Sequence, residues 1–364
     1  MMENSFNSII TLQNNPINWG LAAFYAFRAY NDNFFLNMST TIWNEAFAFF
    51  ITPEDAALGK HPTKNASIQS QCLGASTAGG VFYQTLKPND TVVNGATVAG
   101  FLVLSAYLFE LTENATYSSA AGLSAQFILS HMYDGRFIKD GIDVGTCTLA
   151  DLVITDNSGF TIEGLSVYSN VTGNTTMLGI AKNLTATAIK FDEWTDESGI
   201  LHEGVEDPES MNQNINRWGL KSLFIRGLYE AWRRSPPDSD VANLIQSYIT
   251  VQYNALLDFS RTPGGHFYSP VWRPPPASHL LPWGQLAAID VMNSAIDLPV
   301  SNDTATTSSF ISSTASSSPT SLTQNSSWAS LSHPLIRTPI DSIFGAFGAI
   351  AGHLLVVTIL LCAY

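Results

Sequence analysis

The sequence predicts an all-α protein in which helical hairpins close into an α/α toroid. Three observations support this fold class: candidate helices cover most of residues 17–298, two kinds of helix alternate, and short polar turns recur between them. Residues 98–111 are apolar on nearly every side, as in a helix buried all round, whereas residues 116–133 have an amphipathic pattern. In a toroid the first kind forms an inner ring and the second kind covers it. An α-solenoid is the alternative, but its repeats would be more regular.

The candidate helices divide into pairs. In chain order they are residues 17–30, 34–50, 93–112, 116–133, 158–171, 175–191, 215–234, 240–261 and 280–297. The polar turns at 31–33, 113–115 and 173–174 are each followed by a similar aromatic or apolar segment, which indicates a weak internal repeat of hairpins. Longer links at 79–83, 193–202 and 264–272 contain strand-like pieces. We expect these links to meet at one rim of the ring, where functional residues are usually placed.

The chain is poor in charge and acidic. Only 13% of its 364 residues are charged, against roughly 25% in an average domain, and the net charge is −14. With 45% hydrophobic residues, this composition excludes disorder for most of the chain, and the acidic balance argues against a nucleic-acid partner. Glycans can replace charge in secreted proteins, and the sequence has many acceptor motifs, although composition alone would produce about half of them. These sequons begin at Asn37, Asn65, Asn89, Asn114, Asn170, Asn174, Asn183, Asn302 and Asn325.

The C-terminal part differs from the rest of the chain. Ser and Thr occupy 19 of the 32 positions from 301 to 332, which is typical of an O-glycosylated stalk. Residues 343–364 are almost entirely apolar and long enough to cross a bilayer. We therefore expect a toroid domain at 1–300, a stalk at 301–342 and a membrane anchor or a lipid-anchor signal at 343–364, on the extracellular face of the membrane. Residues 1–19 do not resemble a secretory signal, so the chain is expected to lack its true N-terminus.

Cysteine usage agrees with an extracellular protein. Cys72 and Cys147 are the two cysteines of the globular part, and an isolated pair in a secreted chain predicts one disulfide. Two buried free thiols are the alternative. The sequence has no cluster with metal-ligand spacing and no nucleotide-binding motif, so we expect neither a metal nor a cofactor.

Carboxylates are the remaining candidates for chemistry. Hydrolysis of a glycosidic bond needs one carboxylic acid and one carboxylate across the sugar. Acidic residues cluster at 192–209, most of them as a solvated hairpin, and Glu203 is the one that leads back toward the ring. Glu163 lies near a helix start, where a buried acid is either catalytic or paired structurally. Aromatic rings expected to be exposed at helix starts or in the rim links would stack on sugar faces, with core packing as the alternative. They are Trp19, Tyr83, Trp194, Trp218, Phe267, Tyr268 and Trp272.

Several segments together resemble glycoside hydrolase family 76, in particular its fungal cell-surface members. They are NPINWGLAAFYAFRAYNDNFFLNMSTTIW, QCLGASTAGGVFYQ, NDTVVNGATVAGFLVLSAYLFELTENATY, DNSGFTIEGL, SGILHEG, KSLFIRGLYEAW and YITVQYNALLD. The resemblance covers residues 13–298. It implies an (α/α)6 toroid of six hairpins, of which this chain is expected to lack the first helices, and an activity on α-1,6-linked mannan.

The same resemblance implies site residues. The catalytic signature of the family is an adjacent Asp-Asp pair, and the matching positions here are Asn14 and Asn15, which have no acid proton to give. Asn94 matches a rim asparagine, Asn157 with Gly159 matches an Asn-x-Gly turn, and a basic pair is matched at positions 221 and 226. The cations Lys221 and Arg226 are expected either to orient sugar hydroxyls or to pair with Glu203.

These features predict a membrane-anchored, family-76-like enzyme. Its substrate would be cell-wall α-mannan, or the glycan of a cell-wall glycoprotein, processed by hydrolysis or transglycosylation. The catalytic residues would be at positions 14, 15 and 203, and Trp19, Tyr83 and Trp272 would contact the sugar. A non-catalytic mannan-binding surface glycoprotein is the alternative, and a structural wall glycoprotein without a sugar site is a third possibility.

Overall fold

A computed structural model describes residues 14–204 and 216–299, so the predicted stalk (301–342) and C-terminal anchor (343–364) lie outside the described residues. Helices dominate the described part, and strands are short. The helices are α1 (Asn14–Tyr30), α2 (Asn33–Phe47), α3 (Pro53–Leu58), α4 (Gly95–Thr112), α5 (Ala115–His131), α6 (Thr155–Thr172), α7 (Thr175–Ile189), α8 (Asn216–Leu220), α9 (Ser222–Arg233), α10 (Asp240–Ala255) and α11 (Pro282–Ile296).

The long helices form two concentric layers. Helices α1, α4, α6, α9 and α11 pack side by side in that order, and α2, α5, α7 and α10 each pack on the outside of the helix that precedes them. In the inner helix α4 every residue from 95 to 108 is buried, because neighbours cover it on all sides. Helix α4 is also the one described helix long and apolar enough to span a membrane, and its burial identifies it as a core helix. The predicted α/α toroid is confirmed.

Side-chain caps set several helix boundaries. The carboxylate of Asp32 accepts a hydrogen bond from the second residue of α2, and Asn94, Asn114 and Asn174 cap α4, α5 and α7 in the same way. These caps explain why the predicted helices start close to the observed positions. Helix α6 begins three residues earlier than predicted, since its first N–H group is satisfied by a carboxylate from a distant part of the chain.

Short strands border one rim of the ring. Strands β1 (Gln71–Cys72) and β2 (Ala75–Ser76) form an antiparallel hairpin. Strands β3 (Val92–Asn94), β4 (Gly141–Asp143) and β5 (Thr148–Leu149) form a second antiparallel sheet in that order. Asn94 pairs with Gly141, so the residue before β4 lies beside the first turn of α4. The strand-like link at 79–83 bridges to β3, as expected of rim segments.

The predicted disulfide between Cys72 and Cys147 is confirmed. It joins β1 to the residue before β5 across a sequence separation of 75. We expect the double variant Cys72→Ala/Cys147→Ala to lose about 2–5 kcal/mol of unfolding free energy, because the crosslink restricts the unfolded chain. Urea denaturation of the variant and of the oxidised protein measures the difference. An unchanged unfolding midpoint would contradict this expectation.

Candidate active site

Three inner helices, α4, α6 and α9, begin at the same rim. The Asn157 side chain, in the first turn of α6, lies so close to Gly95 that a Cβ there would be 2.7 Å from its Cγ. Gly159 in turn touches the backbone of Leu223 and Phe224, in the first turn of α9. The first turns of α4, α6 and α9 are therefore adjacent, and the sheet of β3, β4 and β5 lies beside them. The polar residues carried by these turns form one continuous cluster.

Asp140 joins the first two of these turns. Its Oδ1 atom accepts hydrogen bonds from Asn94 Nδ2 at 3.2 Å and from Asn157 Nδ2 at 3.1 Å. Its backbone oxygen accepts from Gly95 N at 2.6 Å, which fixes the residue against α4. Asp140 is partly exposed, so the cluster reaches the surface at this carboxylate. Asn94 and Asn157, which the family resemblance selected, are thus brought together by Asp140, which the sequence did not single out.

Asp156 lies directly behind this group and was also missed. It is buried, and its Oδ1 accepts a hydrogen bond from the backbone N–H of Asn157 at 2.8 Å. Burial, with a contribution from the nearby Asp140 charge, raises the pKa of Asp156 to about 7. This carboxyl group therefore keeps its proton close to neutral pH.

Glu203 contacts the residue before Asp156. Its carboxylate accepts hydrogen bonds from Thr155 N at 3.3 and 3.4 Å and from the Thr155 hydroxyl. The N-cap residue of α6 is Ile154, which has no side-chain acceptor, so Glu203 caps the helix in its place. Burial raises the pKa of Glu203 to about 7, Asp156 adds to the increase, and Lys221 opposes it. The catalytic role given to Glu203 stays a prediction.

Lys221 and Trp272 form the deepest part of the cluster. Both side chains are fully buried, and the ammonium nitrogen lies 4.5 Å from the centre of the indole ring. The expectation that Trp272 is an exposed ring is therefore wrong, as it is for Trp194 and Trp218, which are also buried. Aromatic residues in the long links fill the space between helices and links, so their position near the rim does not imply exposure.

Arg226 and Glu163 lie further along the ring axis. Arg226 Nε is 3.2 Å from Glu163 Oε2, and the hydroxyl groups of Tyr25 and Tyr107 donate to the same carboxylate. Arg226 therefore pairs with Glu163 rather than with Glu203. Glu163 is fully buried and holds four inner helices together, which is the structural role that the sequence left open for it.

The other predicted residues are distributed along the rim. Tyr83 is half-buried, and its pKa is raised mainly by burial and further by the negative charges of Asp140 and Asp90. The influence of Asp140 places Tyr83 near the cluster. Trp19 is partly exposed on α1. Asn14 and Asn15 start α1, but their side chains lie outside the described residues. No three His, Cys, Asp or Glu side chains in the described part of the chain are gathered in a way that would hold a metal ion.

Comparison with known proteins shows the family. The model of glycosyl hydrolase family 76 matches residues 63–262, which is more than half of the chain. The chain belongs to glycosyl hydrolase family 76. The resemblance seen in the sequence is thus confirmed. A separate search found no curated protein sequence that matches the chain.

Solved structures agree with this family 76 fold. One match is an inactive variant of the α-1,6-mannanase GH76A of Salegentibacter sp. HEL1_6, in complex with α-1,6-mannotriose. Two adjacent aspartates are replaced by asparagine in that variant. Its TM-score is 0.63, with 16% sequence identity, and the match covers 78% of this chain and 75% of that one. Dfg5 from Chaetomium thermophilum in complex with glucosamine matches with a TM-score of 0.61 and 15% identity over 78% and 68%. Bt3792 from Bacteroides thetaiotaomicron, a family 76 mannosidase, matches with a TM-score of 0.56 and 15% identity over 78% and 70%. These matches confirm the (α/α)6-type fold.

Proposed function

We propose that this family 76 chain acts on α-1,6-linked mannan of the cell wall, by hydrolysis or by transglycosylation. The observation that carries the proposal is the rim cluster, where a partly exposed carboxylate, Asp140, lies next to the buried acid Asp156. Glycoside hydrolysis needs such a pair of carboxyl groups in unlike environments. The similarity to an α-1,6-mannanase and to a family 76 mannosidase supports mannan as the substrate class.

The test is direct. The purified protein is incubated with linear α-1,6-mannan, and new reducing ends and product lengths are followed. Hydrolysis gives new reducing ends, whereas transglycosylation gives longer chains at a constant number of ends. If neither occurs, the enzymatic proposal fails.

A second candidate is a mannan-binding protein without catalysis. The resemblance in sequence matches Asn14 and Asn15 to the Asp-Asp pair of the family. The mannanase variant with the same type of substitution is described as inactive, yet it is in complex with α-1,6-mannotriose. Calorimetric binding of α-1,6-mannotriose without turnover of mannan would favour this candidate. Gain of activity in Asn14→Asp/Asn15→Asp would place these residues at the reacting bond.

We also propose that the protein is a glycoprotein on the outer face of the plasma membrane or in the cell wall, anchored through residues 343–364. The disulfide and the Ser/Thr-rich stalk sequence support this location. A membrane-fraction assay before and after phospholipase treatment separates a lipid anchor from a membrane-spanning helix.

The sequons offer a finer test of the glycoprotein proposal. Asn65, Asn89 and Asn183 are all exposed, Asn65 and Asn89 in the link between α3 and α4. Only for Asn183 among them are both amide hydrogens seen to be used, by Tyr133 Oη at 2.9 Å and by Gly135 O at 3.3 Å. A glycan replaces one of these hydrogens. We expect Asn65 and Asn89 to carry glycans and Asn183 to carry none, as read by enzymatic deglycosylation in H₂¹⁸O and mass spectrometry. Full occupancy of Asn183 with empty sites at Asn65 and Asn89 would contradict this.

A further inference from the structure

We propose that Asn114 carries an N-linked glycan, and that the core sugars of this glycan lie in a groove on the outer surface of the domain. The inference rests on the proposed glycoprotein character of the chain, and it names one acceptor and the site that its sugars occupy. The groove begins at the end of the ring opposite the rim cluster, because α4 starts at the rim and α5 starts where α4 stops.

The groove lies between the outer helices α5 and α7, above the inner helix α6. Its volume is about 500 Å³, which is within the range of sites that bind small molecules. Helix α5 contributes small and polar residues along one wall, including Ser118, Ser119 and Gln126, while α6 contributes Tyr168 and α7 contributes Met177. None of the residues that line the groove is charged, so it suits a neutral ligand.

Tyr168 gives the groove an aromatic surface. A Cβ at Gly122 on α5 would be 2.7 Å from the Tyr168 hydroxyl, so the ring extends from α6 to α5 because position 122 has no side chain. Glycine weakens a helix relative to alanine, and here it makes room for this ring. Tyr168 and Met177 are partly exposed, and Ser119 is exposed. An accessible ring beside hydroxyl and amide groups suits a sugar, whose apolar face packs on the ring while its hydroxyls bond to the polar groups.

The acceptor lies at the mouth of this groove. Asn114 is followed by Ala115, which lines the groove, and Thr116 completes the sequon; all three residues are exposed. Asn114 Oδ1 caps α5 by accepting a hydrogen bond from Thr116 N at 2.9 Å. Its amide nitrogen, the atom that carries a glycan, has no protein partner among the described residues. Asn174 caps α7 at the other wall but is half-buried, so we assign the groove to Asn114.

Attachment of the glycan leaves the helix cap intact. Asn114 Nδ2 bonds to C1 of the first N-acetylglucosamine, and the bond from C1 to the diphosphate of a polyprenyl donor breaks with its electron pair on the diphosphate. The nitrogen loses one proton to a base of the host transferase. Oδ1 takes no part, so it still accepts the hydrogen bond from Thr116 N.

A tethered glycan needs only weak contacts to occupy the groove. Core sugars linked to a residue at its mouth have an effective concentration on the order of millimolar. If the groove binds them with a dissociation constant of about 1 mM, they occupy it for about half of the time or more. Only the folded chain has the groove, so its occupation stabilises the folded state.

The first experiment measures how fast an endoglycosidase that cuts between the two core N-acetylglucosamines releases the Asn114 glycan from the folded, yeast-secreted protein. Ser119→Trp fills the groove from an exposed position, and Ser130→Trp, on an exposed part of the same helix outside the groove, is the matched control. We expect Ser119→Trp to increase the release rate about two- to tenfold and Ser130→Trp to leave it unchanged, as read by mass spectrometry.

The second experiment removes the glycan and keeps the cap. Thr116→Ala destroys the sequon, but Asn114 and the backbone N–H at position 116 remain. Alanine favours a helix more than threonine does, so the substitution alone would raise the melting temperature. We expect it instead to fall by about 1–4 °C, because the bound sugars are lost. In the Ser119→Trp background, Thr116→Ala should cause no such decrease.

The outcomes separate this inference from the glycoprotein proposal. If no sequon carries a glycan, both are overturned. Glycans at Asn65 and Asn89 with an empty Asn114 overturn the inference alone. An occupied Asn114 whose glycan is released equally fast from the wild type and from Ser119→Trp has its sugars in solvent, which also overturns the inference.

Discussion

Gly227→Ala is expected to destabilise the native fold severely. Gly227 on α9 lies against Gly159 on α6, and a Cβ at position 227 would be 2.1 Å from the carbonyl oxygen of Gly159. Overpacking a core usually costs about 1–3 kcal/mol, because side chains and backbone move to make room. Here the obstacle is backbone on both helices, and no side chain can rotate away. We therefore expect the unfolding free energy to fall by more than about 4 kcal/mol, a loss that only severe core defects cause.

Gly179→Ala is the matched control for this experiment. Gly179 also lies within a helix, α7, but it is exposed, and nothing lies within 4 Å of a Cβ built there. The same substitution should increase the unfolding free energy by about 0.5–1 kcal/mol, because alanine restricts the unfolded chain. Soluble yield and urea denaturation measure both variants. A Gly227→Ala protein that unfolds within about 1 kcal/mol of wild type would show that α6 and α9 can move apart.

The close contact of α6 and α9 has a consequence for the site. Gly159 lies two residues after Asn157 and three after Asp156, so the same crossing that fixes α6 fixes these side chains at the rim. On the other side, Gly95 allows Asn157 to lie on the first turn of α4. Small residues therefore let three helix starts meet, and their polar side chains become one cluster.

The layered fold follows from local patterns in the sequence. Residues 98–111 are apolar on nearly every side, which predicts a buried helix, and Asn114 and Asn174 cap the helices that start after them. Hydrophobic periodicity and capping act within a few residues of the chain, so a sequence can show them. The disulfide between Cys72 and Cys147 was predictable for another reason: few cysteines were available to pair.

The centre of the site depends on contacts that sequence spacing does not define. Asp140 reaches Asn94 over 46 residues because β3 and β4 pair in one register, and Glu203 reaches Thr155 over 48 residues. The family motif selected Asn94 and Asn157, which flank Asp140, but no local pattern marks the aspartate between them. Asp156 directly precedes Asn157, and this adjacency is the one signal that could have suggested it.

Asp156→Asn is expected to stabilise the protein above neutral pH. The folded state raises the pKa of Asp156 from an ordinary 3.8 to about 7, so between these values the folded protein binds more protons than the unfolded chain. The unfolding free energy of the wild type therefore falls as pH rises through this window. Above pH 7 the full cost of burying the ionised Asp156 carboxylate is present. Asparagine has no charge to bury, and its Oδ1 can accept the same hydrogen bond from Asn157 N.

The measured quantity is the stability difference between Asp156→Asn and the wild type as a function of pH. It should grow by as much as about 4 kcal/mol between pH 4 and pH 8, since each tenfold change in proton affinity corresponds to about 1.4 kcal/mol. Asp151→Asn serves as the control. A hydrogen bond from Lys139 lowers the pKa of Asp151, so that carboxylate titrates below this window. The stability of Asp151→Asn plotted against pH should therefore run parallel to that of the wild type above pH 5. A constant difference for Asp156→Asn would mean that Asp156 is ionised in the fold. A variant that gains stability while it loses mannan hydrolysis would instead show that the rim keeps a costly buried acid for its chemistry.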